Sequence, residues 1–384
     1  MKIQNLAVKG FRSLADIKWA PGDLNVLIGP NASGKSNLLR VLELLSASAQ
    51  EELEKYVQRE GGMEPLVWDG SEPGIELGVE LERRDSPGIE YRLELKRLGK
   101  TSSYRIGYEL LNDIGSAGAK WLERSPLRSA FFDDERGEYE IPQISEVETL
   151  LSLSSGPFSP NKTIPEVQGS LASWAVYQDL RTDRDAIVRL PAVATFSKRV
   201  AADAHNLISV LHTLYTSDRD FEEKVDMAMG VAFGSEYEKL IFPPDADQRV
   251  QLRVRWKSLR RAQSAADLSD GTLRFLFLLA ALANPNPPPI IAIDEPDIGL
   301  HPGMLPIIAE FATGASERSQ VVLTTHSPAF LDAFEETTPT ITVLNSVEGR
   351  TNLQVLSGEK LKYWLKHYTL GEMYRTGELQ AMEQ

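Results

Sequence analysis

The residues with the most specific chemistry lie between Gly29 and Ser36. They read Gly-Pro-Asn-Ala-Ser-Gly-Lys-Ser and match the phosphate-binding pattern G-x-x-x-x-G-K-S/T at every fixed position. The two glycines allow a tight backbone turn whose N–H groups point at phosphates. Lys35 can then reach the β- and γ-phosphates, and Ser36 offers its hydroxyl to Mg²⁺, which prefers oxygen ligands. The pattern predicts a nucleoside triphosphate site formed by Gly29, Pro30, Asn31, Ala32, Ser33, Gly34, Lys35, Ser36 and Asn37.

A pair of carboxylates follows a strongly apolar run later in the chain. Residues 289–293 are typical of a buried strand, and Asp294 and Glu295 come directly after it. Ligands bind at the carboxyl ends of strands in open α/β sheets, so both carboxylates are placed where a nucleotide binds. We expect Asp294 to hold Mg²⁺ and Glu295 to orient or deprotonate the water that attacks the γ-phosphate. This pair is typical of a hydrolysing site and not of passive nucleotide binding.

The segments around these residues have the character needed to position them. Leu24–Ile28 is a short apolar run typical of a buried strand, and residues 37–45 carry leucine and valine at helical spacing. Strand, loop and helix follow one another in the order that phosphate binding requires, because the helix adds the positive end of its dipole. Residues 320–325 form another strand-like run, which ends at His326.

Composition excludes several classes of protein. The chain has 384 residues, 42% hydrophobic and 25% charged, which is enough for a large core in one elaborated domain or two lobes. The absence of cysteine excludes disulfides, thiolate metal sites and cysteine nucleophiles. The chain has no long apolar run and no apolar stretch at its start, so we expect a cytoplasmic protein without a membrane partner. The formal charge of −14 argues against coating DNA through bulk charge. A local basic stretch consists of Arg253, Arg255, Lys257, Arg260 and Arg261.

Three further segments resemble motifs of the ABC-type ATPases. Residues 268–272, Leu-Ser-Asp-Gly-Thr, resemble the signature motif. Residues 295–302 resemble the D-loop region, and Thr-Thr-His-Ser at 324–327 resembles the segment of the switch histidine. Together with the phosphate loop, these motifs follow the order of the family along the chain.

The form of the motifs narrows this resemblance. Gly-Phe-Arg-Ser-Leu at 10–14, the asparagine after the phosphate loop and Gly-Leu-His-Pro at 299–302 resemble the RecF, SMC and OLD branch, especially its small standalone AAA-family ATPases. Residues 370–374 and 377–379 resemble the ending of those standalone members. No heptad pattern persists, so we expect no long coiled coil. Only 58 residues follow His326, from which we expect no Toprim nuclease domain.

The resemblance implies an ATP-dependent homodimer in which two heads meet head to tail. Each ATP is then held by the phosphate loop of one head and the signature of the other, with Ser269 and Gly271 contacting the γ-phosphate from the start of a helix. His326 contacts the γ-phosphate or the attacking water from its own head, and Arg12 lies near the nucleotide. The resemblance implies Glu295, His326 and Lys35 as the catalytic residues, and ATP and Mg²⁺ as the cofactors. It does not identify the Q-loop glutamine, for which Gln143 and Gln178 are both candidates.

The fold expected from these motifs is an α/β P-loop NTPase of ABC-ATPase type, with an antiparallel β subdomain and an inserted, mainly helical lobe. Residues 1–114 form the first part of the core, with alternating strands at 75–81 and 91–95. Residues 115–235 form the inserted lobe, with helices at 170–179 and 206–215, and residues 236–384 complete the core.

Two functions of different classes fit such an ATPase. The resemblance favours an ATP-gated dimer that acts in DNA maintenance or repair through DNA or a DNA-bound partner. The alternative is an ATPase sensor or scaffold that controls an effector protein, a nuclease or toxin, in anti-phage defence. The acidic charge favours a protein partner and the family favours DNA, so both stay open. The ATPase subunit of a membrane transporter fits less well, because the signature lacks the glycine-rich transporter form.

Overall fold

The structure, a computed structural model, describes residues 1–70, 72–83, 86–99, 102–115, 119–133, 137–140, 145–154, 159–334, 337–356 and 368–381. The strands are β1 (Lys2–Phe11), β2 (Leu14–Trp19), β3 (Leu24–Ile28), β4 (Gly74–Glu82), β5 (Ile89–Arg97), β6 (Tyr104–Asp113), β7 (Lys120–Ser125), β8 (Arg128–Asp133), β9 (Gly137–Glu140), β10 (Ala175–Tyr177), β11 (Ala192–Val193), β12 (Tyr237–Ile241), β13 (Pro244–Asp245), β14 (Arg249–Val250), β15 (Arg253–Trp256), β16 (Gln263–Ser264), β17 (Ile290–Ile293), β18 (Gln320–Thr324), β19 (Thr340–Val347) and β20 (Arg350–Leu356). The α-helices are α1 (Lys35–Ser48), α2 (Leu53–Arg59), α3 (Leu150–Leu153), α4 (Thr163–Ala172), α5 (Leu207–Ser217), α6 (Arg219–Phe233), α7 (Asp270–Leu282), α8 (Leu305–Ser316), α9 (Pro328–Asp332), α10 (Leu370–Arg375) and α11 (Glu378–Ala381).

The chain divides into two compact units. The first unit comprises Met1–Val176 and Thr340–Gly358, and the second comprises Tyr177–Pro339 and Glu359–Gln384. The three segments predicted from the sequence, 1–114, 115–235 and 236–384, stay a prediction. No helix in the described part of the chain combines the length and apolarity needed to cross a membrane.

The first unit contains an antiparallel sheet with the strand order β2-β1-β4-β5-β6-β7-β8-β9. Buried and exposed residues alternate along β4 and β5, so one sheet face belongs to the core. Val8, Leu77 and Leu93 are aligned across β1, β4 and β5 and form a buried row. The predicted strands at 75–81 and 91–95 lie within β4 and β5 and are confirmed.

The first unit also holds the strand that leads into the phosphate loop. Every residue of β3 is buried; β3 runs parallel to β19, which pairs antiparallel with β20. The indole N–H of Trp19 donates to Thr342 Oγ1 at 3.1 Å and ties β2 to β19. Helix α1 follows the loop and buries its leucines. The predicted strand at 24–28 and the predicted helix at 37–45 are confirmed.

The second unit contains two parallel strands, β17 and β18, in which every residue is buried. Fully buried parallel strands are nearly continuous apolar runs, which is why the sequence reveals both of them. Helix α7 buries its residues from 275 to 282. The helix predicted at 206–215 is confirmed as α5.

The helix predicted at 170–179 is wrong. Helix α4 ends at Ala172, and the aromatic and β-branched residues after it form the short strand β10.

Candidate active site

The phosphate loop lies between β3 and α1, and two of its positions accept only glycine. Gly29 has φ 152° and Gly34 has φ 104°, values that other residues rarely adopt. A Cβ at Gly29 would collide with the carbonyl oxygen of Leu344, and one at Gly34 would collide with Thr351 Oγ1. The loop therefore lies directly against β19 and β20 of its own unit.

The polar groups of the loop suit a phosphate. The ammonium of Lys35 is buried and donates to the carbonyls of Gly29 at 2.9 Å and Pro30 at 3.2 Å. The hydroxyl of Ser33 is buried without a hydrogen-bond partner in the described residues. Ser36 lies half-buried in the first turn of α1, where backbone N–H groups have no intrahelical partner. An unpartnered buried hydroxyl, a confined cation and a helix N-terminus together form a cradle for an anion.

Side chains from distant parts of the sequence hold this loop. Asn37 Nδ2 donates to Ser13 Oγ at 2.8 Å, and Ser13 Oγ lies 2.8 Å from Thr351 Oγ1. Thr351 Oγ1 also donates to the carbonyl of Ser33 at 2.9 Å. The β1–β2 turn and the start of β20 therefore fix the shape of the loop.

Arg12 lies in the same unit as the loop, in the turn between β1 and β2. Its backbone has φ 47°, and its N–H donates to the Leu66 carbonyl at 2.8 Å. Its guanidinium pairs with the carboxylate of Glu60, whereas its Nε is buried without a partner among the described residues. The contact of Arg12 with the nucleotide stays a prediction.

The two predicted carboxylates lie in the second unit, immediately after β17. The N–H of Asp294 donates to the carbonyl of Tyr177 at 2.8 Å. Buried Thr324, the last residue of β18, donates its hydroxyl to the Asp294 carboxylate and accepts the N–H of Glu295 at 2.9 Å. One hydroxyl therefore positions both acids. Glu295 has φ 48°, a strained backbone for a residue with a side chain.

His326 lies beside Glu295 within the same unit. Its Nε2 is 3.2 Å from Glu295 Oε1, and both side chains are about one-third exposed. Asp297 also lies in the D-loop region. Burial raises the pKa of its carboxyl group, and a hydrogen bond donated by the Thr325 hydroxyl at 2.8 Å partly opposes that rise. The structure therefore brings Asp294, Glu295 and His326 together around the ends of β17 and β18.

The structure also places one of the two glutamines considered for the Q-loop. Gln178 follows Tyr177, whose carbonyl accepts from Asp294, and it lines a small cavity together with Asp294 and Glu295. Gln143 lies outside the described residues. The position of Gln178 beside the two acids is not visible in its local sequence, and the choice of the Q-loop glutamine stays a prediction.

The predicted signature begins α7 in the second unit. Ser269 is exposed and caps the helix by accepting the N–H of Thr272 at 3.2 Å. A Cβ at Gly271 would lie 2.6 Å from the carbonyl oxygen of Gly299, so only glycine allows this turn to approach the D-loop region. The buried side chain of Arg189 pairs with Asp270 and orients the start of the helix.

Sequence reasoning missed the residues that position these groups. Thr324 belongs to the Thr-Thr-His-Ser segment, but only its histidine had an expected role. Arg189 donates to the carbonyls of Ala265 at 3.2 Å and Leu268 at 2.7 Å, and nothing in its local sequence signals this. The phosphate loop and Arg12 belong to the first unit, whereas the acids, His326 and the signature belong to the second.

Comparison with known proteins gives a family for most of the chain. The family model described as "AAA domain, putative AbiEii toxin, Type IV TA system" matches residues 24–332. This range includes the phosphate loop, the signature, both carboxylates and His326.

More distant relatives agree with this match. An OLD nuclease of Thermus scotoductus is 20% identical over 350 residues, which cover 86% of this chain and 60% of that protein. The chain thus spans about 60% of the length of this curated relative. An SMC head bound to the C-terminal winged-helix domain of ScpA superposes with a TM-score of 0.61 at 15% identity, covering 94% of this chain and all of that one. An SMC head with an extended coiled coil, bound to the C-terminal domain of ScpA from Pyrococcus furiosus, gives a TM-score of 0.58 at 14% identity and covers 95% and 98% of the two chains. The fold is that of the SMC heads, a P-loop NTPase fold, which agrees with the α/β P-loop NTPase of ABC-ATPase type predicted from the sequence.

Proposed function

Because the chain belongs to this AAA domain family, within the ABC-type P-loop ATPases of the RecF, SMC and OLD branch, we propose that it binds and hydrolyses ATP. The phosphate loop holds the phosphates, with Lys35 on the β- and γ-phosphates. Ser36 and Asp294 supply oxygen ligands for Mg²⁺, which neutralises charge on the phosphates when it is bound. Glu295 orients or deprotonates the attacking water, and His326 stabilises the γ-phosphate or that water.

The observation that carries this proposal is the cluster at the ends of β17 and β18. Thr324 binds both acids, and His326 Nε2 lies 3.2 Å from the Glu295 carboxylate. A carboxylate held by a strained backbone beside a histidine is arranged for a reaction, because such strain persists only where the surroundings maintain it.

Two substitutions test the assignment. Glu295→Gln should bind ATP normally and lose about 100-fold or more in turnover, since it removes the proposed base and keeps the shape. Lys35→Ala should lose ATP affinity instead. The measurements are ATP binding by calorimetry and steady-state phosphate release. Full turnover by Glu295→Gln, or unchanged affinity in Lys35→Ala, would refute the respective role.

We also propose that ATP joins two copies of the chain head to tail. Ser269 is exposed at the start of α7. The backbone N–H groups in the first turn of this helix suit the γ-phosphate of a partner copy. The Glu295→Gln protein should therefore become a dimer with ATP, as measured by light scattering, while Ser269→Arg in the same background should stay monomeric. If the Glu295→Gln protein with Ser269 intact stays monomeric in saturating ATP, the proposed dimer is refuted.

The first candidate role for this dimer is in DNA maintenance or repair, through DNA or a DNA-bound partner. The observation that favours DNA itself is the basic stretch on and after β15, where Arg255, Lys257, Arg260 and Arg261 are all exposed. Duplex DNA should stimulate ATP hydrolysis, and the effect should fade steeply with salt because binding releases counterions. Replacing these four residues by glutamine should abolish the stimulation and keep the basal rate.

The second candidate role is control of an effector protein in anti-phage defence. The family description names a toxin, and the relative from Thermus scotoductus is a nuclease of which this chain spans about 60%. ATP hydrolysis that is indifferent to DNA at every salt concentration, together with a stoichiometric protein partner whose binding depends on ATP, would select this role over the first.

A further inference from the structure

A cavity of about 490 Å³ in the first unit has no role in the site described so far. Its walls come from the β1–β2 turn with Arg12 and Ser13, from Trp68 and Asp69, and from the β19–β20 turn ending at Arg350. Trp68 is half-buried, and the guanidinium carbon of Arg350 lies 4.5 Å from the centroid of its ring. The cavity is large enough for a small ligand and offers two planar groups.

The same residues connect this cavity to the phosphate loop. Ser13 lines the cavity, and its hydroxyl accepts a hydrogen bond from Asn37 at 2.8 Å, directly after the loop. Arg350 precedes Thr351, whose hydroxyl donates to Ser33 within the loop at 2.9 Å. One residue of the cavity wall, Ser13, therefore makes a contact that holds the loop, and another, Arg350, lies next to a residue that does.

We propose that this cavity receives the purine base of the nucleotide whose phosphates lie on the loop, with the base stacked on the Trp68–Arg350 pair. This rests on the proposed ATP binding and adds the part of the site that contacts the base. Bases stack on aromatic rings and on arginine planes, and a cation over the ring strengthens the platform.

The test separates the base from the phosphates. Trp68→Ala is made in the Glu295→Gln background, where ATP persists, and its affinities for Mg-ATP and for magnesium tripolyphosphate are measured by calorimetry. ATP affinity should fall about tenfold and tripolyphosphate affinity should change less than twofold, since only ATP carries a base to stack. Trp68→Phe keeps a ring and should retain most of the ATP affinity.

Trp121→Ala is the matched control, because Trp121 is a half-buried tryptophan of the same unit that does not line the cavity. It should change neither affinity. If Trp68→Ala leaves the ATP affinity unchanged, or lowers the affinities for both ligands equally, the base site is overturned. The proposed function of ATP binding then still stands. A parent protein that binds neither ligand instead overturns the proposed function.

Discussion

Replacing Thr324 by valine tests how the second unit positions its two acids. Valine has the shape of threonine but no hydroxyl. The hydrogen bond donated to the Asp294 carboxylate is lost, and the N–H of Glu295 loses the acceptor it has at 2.9 Å. Valine keeps the methyl packing of this fully buried position, so the change isolates the hydrogen bonds.

The expected loss of stability follows from these two contacts. A hydrogen bond to a charged group contributes about 1.5–3 kcal/mol, and an N–H that loses its partner costs about 1 kcal/mol where, as here, it is only part-buried. Thr324→Val should therefore lower the free energy of unfolding by about 2.5–4 kcal/mol. Turnover should fall about 10- to 100-fold with little change in KM, because the groups that position a reacting side chain act on the chemical step.

The assay combines urea unfolding with steady-state ATP hydrolysis. Thr324→Ser keeps the hydroxyl and should retain most of the turnover. Thr313→Val removes a hydroxyl that bonds the Ala309 carbonyl of the same helix at 2.9 Å, and it should leave turnover unchanged. If Thr324→Val hydrolyses ATP at the wild-type rate, Thr324 does not position the acids.

Two further predictions concern residues of the second unit. Burial raises the pKa of Asp297, so the folded protein binds more protons than the unfolded chain between the two pKa values, and this group makes stability fall as the pH rises through the folded pKa. Asp297→Asn keeps an oxygen for Thr325 and should remove that fall, as measured by urea unfolding across pH 4–8; an identical pH dependence in both proteins would contradict it. Gly271→Ala places a Cβ 2.6 Å from Gly299 O and should weaken ATP-dependent dimerisation by at least about tenfold, as measured by light scattering, with nucleotide affinity of the monomer retained; a normal dimer would show that the two segments can separate freely.

The sequence predicts the parts of the fold whose structure depends on residues that are close together in the chain. β3, β17 and β18 are short, mainly apolar runs, and the glycines of the phosphate loop occupy backbone conformations that their pattern implies. The sequence predicts a helix where β10 lies, because a strand of three residues is too short to show a period of two beside a helix.

The remaining contacts join residues that are far apart in the sequence. Thr351 bonds the Ser33 carbonyl across 318 residues, and no local pattern marks either as a partner. Trp68 and Arg350 likewise form one pair from two distant turns. Gln178 lies beside the two acids although its local sequence gives no sign of it. Such pairings depend on the completed fold, so composition and periodicity cannot supply them.

The second unit connects its proposed catalytic acid to its signature by a short path. The strained residue Glu295 begins the segment 295–299, and the Gly299 carbonyl at its end lies against Gly271, where no Cβ fits. Close packing of this kind transmits displacement, because a movement of one segment toward the other pushes on it. Ser269 is exposed at the start of the same helix, and Arg189 fixes that start through Asp270 and the Leu268 carbonyl. The five residues of the segment 295–299 therefore link Glu295 to the surface that we propose binds the second copy. A shift of Glu295 on hydrolysis would reach that surface through them.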